Sequence, residues 1–273
     1  MKRTSILAAS LMCSVMLSAQ TREAAVLFSG GGYGVDASYL LTENVSVVFD
    51  EEGNATVFKG ETSTGLSSDC MAPLTAEFKD AFKLTANQDP NHKENFYSTF
   101  YTGLGAYKVS SEAKAYIGEV SGDVLNLTDV GSIIHENEAV ILKATGSSIT
   151  LMPSCNTGAP SYDNKLTGTE NGIASAPANS YALSLGQKGV GFYLWEGKAI
   201  GANKAYLSLG SVAGAKAFTF QFEDETDGIH SININDSSTG SETGDNMYNL
   251  NGLRVKDGYK GIVIKNGKKY VVK

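Results

Sequence analysis

The stretch Val45-Ser46-Val47-Val48-Phe49-Asp50-Glu51-Glu52-Gly53-Asn54-Ala55-Thr56-Val57-Phe58-Lys59 sets two β-rich runs on either side of a short turn that carries Gly. Two such runs around a turn of this kind are the signature of a hairpin. The same grammar returns downstream, where Ala115 to Val120 and Val124 to Thr128 flank Ser121-Gly122-Asp123. Further strands are expected at Tyr107 to Ser110, Ala139 to Lys143, Ser148 to Met152, Tyr181 to Leu185, Gly189 to Trp195, Ala205 to Leu209 and Ala217 to Phe222. Turns separate them at intervals of roughly 8 to 12 residues, the spacing of a sandwich or barrel. The expected fold is therefore all-β: about ten to fourteen strands in one or two sandwich-like modules, followed by a small C-terminal β-unit. One segment has a different period. Leu74, Phe78, Ala81, Phe82 and Leu84 follow Pro73 at helical spacing, which predicts one short amphipathic helix near residues 74 to 85.

An internal repeat organises the middle of the chain. Ile134-His135-Glu136-Asn137-Glu138-Ala139-Val140-Ile141 aligns with Ile200-Gly201-Ala202-Asn203-Lys204-Ala205-Tyr206-Leu207 at an offset of 66. Upstream, Ala106 to Ser110 aligns with Ser180 to Ser184 at an offset of 74, the difference being read as a change of loop length. Two related modules are expected, about residues 106 to 151 and 180 to 222, after an N-terminal β region over residues 20 to 105.

The chain has 273 residues, 42% of them hydrophobic, and a formal charge of -7. That is apolar material for a sizeable core and no basic footprint for nucleic acid. Lys2 and Arg3 precede an apolar run from Ile6 to Leu17, followed by Ser18, Ala19 and Gln20; this reads as a secretory signal peptide over residues 1 to 19. No later run reaches the roughly 20 apolar residues that a membrane helix needs. Past the leader, Cys70 and Cys155 remain. They are an even pair in an oxidising compartment and admit one disulfide; buried free thiols are the alternative.

After Phe222 the composition changes. Residues 223 to 246 are acidic and polar and read as a connector, with one short strand at Ile229 to Ile234. The last 27 residues carry seven basic residues and one acidic, whereas residues 20 to 246 carry 13 basic and 28 acidic. That asymmetry sets residues 247 to 273 apart as a unit. Within it, Gly261 to Lys265 and Lys268 to Val272 alternate around Asn266-Gly267, the pair that best tolerates the positive φ angles of a type I′ turn.

Tyr248 to Val255 with Gly252, then Lys260-Gly261-Ile262-Val263-Ile264, then Asn266-Gly267-Lys268 through the final Lys273, resemble the C-terminal tail of the type IX secretion sorting family of one Gram-negative lineage. Asn95 to Phe100, Ala115-Tyr116, Leu125 to Asp129 and Asn137 to Lys143 resemble an uncharacterised β-module of surface proteins from the same lineage. The resemblance implies an exported, cell-envelope-associated or released protein, with secretion machinery as partner. It implies no reaction.

Residue patterns for catalysis are sparse. His92, His135 and His230 are not spaced with other ligands as a zinc site requires. Ser29 to Gly34 is glycine-rich but lacks the Lys-Ser/Thr of a phosphate loop and reads as a lead-in or turn. Asp50-Glu51-Glu52 and Glu223-Asp224-Glu225 do not follow a calcium loop. No cofactor is expected. Tyr193 and Trp195 fall on one side of a predicted strand by the two-residue period, and form either a sugar-stacking face or core packing. The function expected is a non-catalytic structural or adhesive envelope protein, with a carbohydrate-binding accessory as the alternative and an unfamiliar hydrolase third.

Overall fold

Residues 24 to 28, Ala-Ala-Val-Leu-Phe, are apolar without alternation, and such a run is stable as a strand only when both of its faces are covered. In the computed structural model this run is the middle of β1 (Gln20–Gly30), with Ala25, Val26, Leu27 and Phe28 all buried. The structure describes residues 20–30, 34–67, 73–156, 158, 163–187, 189–210, 215–222, 230–232, 247–249, 255, 260–265 and 268–272. The leader expected over residues 1 to 19 therefore lies outside the described residues, as do Cys70, Gly252, Asn266, Gly267 and Lys273.

The chain divides into two compact units, residues 1–220 and 221–273. In the first, β1 is followed by β2 (Val35–Leu40), then β3 (Val45–Phe49), β4 (Ala55–Lys59) and β5 (Thr62–Leu66). Next come β6 (Thr75–Thr85), β7 (Asn87–Gln88), β8 (Phe96–Phe100) and β9 (Ala106–Val109). The hairpin β10 (Ala113–Ser121) and β11 (Val124–Asp129) leads to β12 (Ile133–Ile134), β13 (Val140–Ala144) and β14 (Ser148–Ser154). The body closes with β15 (Leu166–Thr169), β16 (Ser180–Gly186), β17 (Gly189–Leu194), β18 (Lys204–Ser208) and β19 (Ala217–Phe222). Among the described residues these nineteen strands exceed the ten to fourteen expected.

A six-stranded sheet runs β12-β9-β14-β6-β1-β2, and a ten-stranded sheet runs β15-β18-β16-β17-β19-β11-β10-β13-β8-β7. They pack as a sandwich. Phe82, Leu84, Tyr107, Ile149 and Leu151 of the first sheet share one core with Phe100, Ala115, Ile117, Val140 and Leu142 of the second. The Phe82 ring meets Phe100 at 4.9 Å and Tyr107 at 5.2 Å, both edge to face. The hairpin quoted at the outset forms β3 and β4 of a separate three-stranded sheet. Its Val45, Val47, Ala55 and Val57 cover Val26 and Phe28 of β1.

The helix expected near residues 74 to 85 is a strand. β6 pairs with β1 from Thr75 opposite Ser29 to Leu84 opposite Gln20, and with β14 at its far end. A spacing of four, as in Leu74, Phe78 and Phe82, suits both a helix and a strand, since four is a multiple of two and close to 3.6. The deciding spacing is Phe82, Leu84 and Ala86, all buried at period two. Phe78, on the apolar side of the expected helix, is 79% exposed.

Strand order and register set the two aligned segments in a frame different from the expected one. Within the ten-stranded sheet, β8-β13-β10-β11 and β15-β18-β16-β17 have the same strand order. Ile141 sits opposite Thr99 and Tyr116 in the first half, and Leu207 sits opposite Leu166 and Tyr181 in the second. The closing turn and strand thus keep the offset of 66, but the counterpart of Tyr181 is Tyr116, not Tyr107. Tyr107 belongs to the six-stranded sheet and faces Ile134, as Ile173 faces Ile200. The halves accordingly span β8 to β13 and β15 to β18, and β14 and β19 fall outside them. β19 joins the halves, lying between β17 and β11. Its Phe220 ring contacts Tyr97 of one half and Phe192 of the other, at 5.5 and 6.0 Å.

The second unit contains β20 (His230–Ile232), β21 (Met247–Asn249), β22 (Gly261–Lys265) and β23 (Lys268–Val272). They form one sheet in the order β20-β23-β22-β21, in which β20 runs parallel to β23. Lys265 sits opposite Lys268, the register expected of a two-residue hairpin connection. Gly261 has φ 134, a region open to glycine.

Candidate functional site: a groove beside Trp195

Asn203 and Asn137 occupy the same position of the two repeat copies, and both adopt left-handed backbone, φ 52 and 62. Asn tolerates that region better than other side chains because its short amide bonds locally. The shared turn points the side chain of Asn203 to where β1, β15 and the end of β8 converge. Its Nδ2 donates to Tyr101 O at 3.1 Å and to Glu170 Oε1 at 2.9 Å. Its Oδ1 accepts from Gln20 Nε2 and Arg22 Nη2, both at 3.2 Å. Arg22 also reaches Asp80 at 3.3 Å and lies 5.1 Å over the Phe82 ring. Glu170 Oε2 accepts from Gly103 N at 2.7 Å. One buried amide therefore ties together segments up to 183 residues apart.

Around this knot is a groove of about 420 Å³, within the range of small-molecule sites. Gln20 and Arg22 of β1, Trp195 after β17, the Ala199–Ala202 turn and Lys204 of β18 line it. Burial pushes the Lys204 ammonium down to about 8. Gln20 Oε1 is buried there with no hydrogen-bond partner.

Trp195 and Tyr193 do not make one flat platform. Trp195 is 6% exposed and packs with Ala176, Ile200 and Tyr206. Its Nε1 donates to Ala199 O at 2.9 Å, and Lys198 Nζ lies 4.3 Å over the ring. Tyr193 covers Gly186, where an added Cβ would come within 2.2 Å of its ring, and its hydroxyl donates to Gly189 O. Of the two, Trp195 alone lines the groove.

The repeat explains why the groove lies in the second half. In the first half the matching face carries Ala115, Ile117 and Val140, packed against the six-stranded sheet. In the second half, Trp195 and Tyr206 make a smaller cluster on that face. At the position of Lys204 the first half has Glu138, whose carboxyl is pushed up by burial, against the pull of His135.

The other titratable groups have structural partners. Asp36 accepts from Ser154 Oγ at 2.6 Å and Cys155 N at 3.1 Å, and pairs with Lys108 at 2.9 Å. Partial burial raises its carboxyl, but those hydrogen bonds together bring it below its ordinary value. Cys155 is a free thiol, pushed up by burial and by Asp36; a thiol so placed is a poor nucleophile. Asp50 closes the β3–β4 turn on Asn54 N and Nδ2, both at 2.8 Å, so the first acidic run is a turn device. His92 Nδ1 lies 3.2 Å from Asp89. Among the described residues no three His, Cys, Asp or Glu side chains gather as a metal site would, and no helix is long and apolar enough to cross a membrane.

Sequence reasoning missed Arg22, Glu170 and Lys204. The one available signal was the Asn retained in both copies of the repeat. No known protein family, curated protein or solved structure matches the chain.

Proposed function

We propose that the chain is an exported protein of the cell envelope or surface, with the β-sandwich body in a structural or adhesive role and residues 247 to 273 read by secretion machinery as a sorting tail. The observation that carries the reading is the separateness of the C-terminal unit. Residues 221–273 form their own compact unit, built on a four-stranded sheet that includes the Lys265 to Lys268 hairpin register. Its last 27 residues are strongly basic on an otherwise acidic chain, which suits recognition by an external receptor. Deleting residues 247 to 273 tests it: fractionation of the host should find the truncated protein held in the periplasm. Normal amounts at the surface or in the medium would refute the sorting role.

A second reading, a carbohydrate-binding accessory, is favoured by the groove beside Trp195. Its mixture of aromatic edge, aliphatic wall and planar amides is the lining that saccharide ligands use.

A further inference from the structure

We propose that β3 is a docking edge for a second copy of this chain. Two β3 strands pair antiparallel about a two-fold axis through Val47, and the two three-stranded sheets become one continuous sheet.

The backbone carries the inference. β3 is an outer strand of its sheet, paired with β4 on one side, and among the described residues no strand lies along its other side. Asp50 N donates to Asn54 O at 3.0 Å, in the register that sets Val48 opposite Thr56 and Ser46 opposite Phe58. In an antiparallel ladder the residues that bond the neighbouring strand alternate with residues whose N–H and C=O point away from it. Ser46, Val48 and Asp50 therefore bond toward β4, and Val45, Val47 and Phe49 offer their N–H and C=O groups to the free edge. A second, antiparallel β3 engages all three only when Val47 faces Val47, which sets Val45 opposite Phe49 at both ends. A slip of two residues pairs two of the three and strands the third.

The side chains agree. β3 reads Val-Ser-Val-Val-Phe, without the charges or proline that normally keep an exposed edge from pairing. The other edges of the body differ. β7 and β12 are two residues long, β2 carries Asp36, and β5 and β15 contain Gly65 and Gly168, which weaken a strand. Val48 is 59% exposed and Phe49 56%. Phe49 shares a face with Val45 and Val47, the face that covers β1. Its exposure means that the sheet overhangs the body at this end and leaves room for a partner strand. Pairing sets Val45 of the second copy beside Phe49, a β-branched side chain against an aromatic ring. A five-residue strand is about 17 Å long, and a contact of that length falls below the roughly 1,200 Å² of a stable interface. The dimer is accordingly weak, with a Kd on the order of 100 µM. Because the contact is isologous, it closes at two copies.

Sedimentation equilibrium of the purified chain, from about 10 µM to about 1 mM, should show a monomer–dimer equilibrium that stops at the dimer. Phe49→Pro removes one donor from the free edge and spares every β3–β4 bond, so it should weaken association at least about tenfold with the melting temperature kept. Should the proline lower that temperature, Phe49→Lys, which blunts the edge by charge, is the second variant. Register is tested by cross-linking with oxidised glutathione. Val47→Cys should join to itself above the parent's background, because the Cα atoms of a bonded pair stand about 5.5 Å apart, within disulfide reach. Ser46→Cys, which faces Val48 of the second copy, should not. A chain that stays monomeric up to about 1 mM, a folded Phe49 variant that associates like the parent, or Ser46→Cys joining as fast as Val47→Cys would each overturn the proposal. Assembly that grows past the dimer would overturn it as well, since that is the outcome of β3 pairing with β5 of the next copy.

Discussion

Replacing Asn203 by Ala removes four side-chain hydrogen bonds at a residue that is 1% exposed, and asks Ala to adopt φ 52. Each lost bond is worth about 1 kcal/mol net, and a buried partner left unsatisfied costs about 1–3 kcal/mol. The left-handed backbone adds about 1 kcal/mol for Ala. Asn203→Ala should therefore cost at least ~5 kcal/mol, which for a body of this size lowers the melting temperature by roughly 10–20 °C. Asn203→Gly should recover about 1 kcal/mol of that, because Gly accepts the backbone without strain. The repeat counterpart Asn137 has an exposed side chain that accepts from the Tyr101 hydroxyl at 3.0 Å. Asn137→Ala should cost only about 1–2 kcal/mol, mostly backbone. Urea unfolding followed by Trp195 fluorescence measures all three. If Asn203→Ala and Asn137→Ala cost the same, or if Asn203→Gly is no better than Asn203→Ala, the side-chain knot is not what holds this turn.

Lys204 gives a pH signature. Its folded value lies near 8 against an ordinary 10.5, so below pH 8 folding opposes its charge, and stability rises between about pH 8 and 10.5. Lys204→Met should be more stable than the parent at pH 7 by up to ~3 kcal/mol, with the gap closing by pH 10; a constant gap across that window would refute the burial argument. Glu138 works in the opposite sense: its carboxyl is raised by burial, so stability is lost as pH climbs above the ordinary Glu value. Glu138→Gln should remove that slope in melts between pH 4 and 8. Gly191→Ala would place a Cβ 2.5 Å from Phe218 O at the β17–β19 seam, and should destabilise by about 1–3 kcal/mol through backbone displacement; an unchanged urea midpoint would show that the seam has slack. Phe82→Ala, in the shared core with 0% exposure, should cost about 3–5 kcal/mol, measurable by the same melts.

Much of the architecture was legible because strands and turns are written locally. The strands expected from Tyr107 to Phe222 match β9, β13, β14 and β16 to β19 closely, and even the short strand in the connector survives as β20. β1 and β2 were missed. Gln20 to Gly30 lacks clean alternation because Val26 and Phe28 face the small sheet while Ala25 and Leu27 are also buried. The helix failed for the reason of shared spacing at Phe78 and Phe82. The repeat was visible, but its frame was not. Tyr107 and Tyr116 are both buried strand tyrosines, and only pairing distinguishes which one matches Tyr181. The groove was out of reach for another reason. Arg22, Glu170 and Asn203 meet across the whole body, and nothing in their local sequence marks a meeting point.

The position of β19 has a consequence for how the body is made. The two half-sheets are each assembled from neighbouring segments, but the strand that unites them is the last of the body to emerge from a ribosome. Until Phe218 and Phe220 arrive, Tyr181, Tyr97 and Phe192 lack the rings they pack against at the seam, and closure waits on a pairing between residues about a hundred positions apart, with Thr219 N donating to Asp123 O. Long-range closures are the slow ones. Vectorial synthesis thus leaves the sheet unsealed until the body is complete.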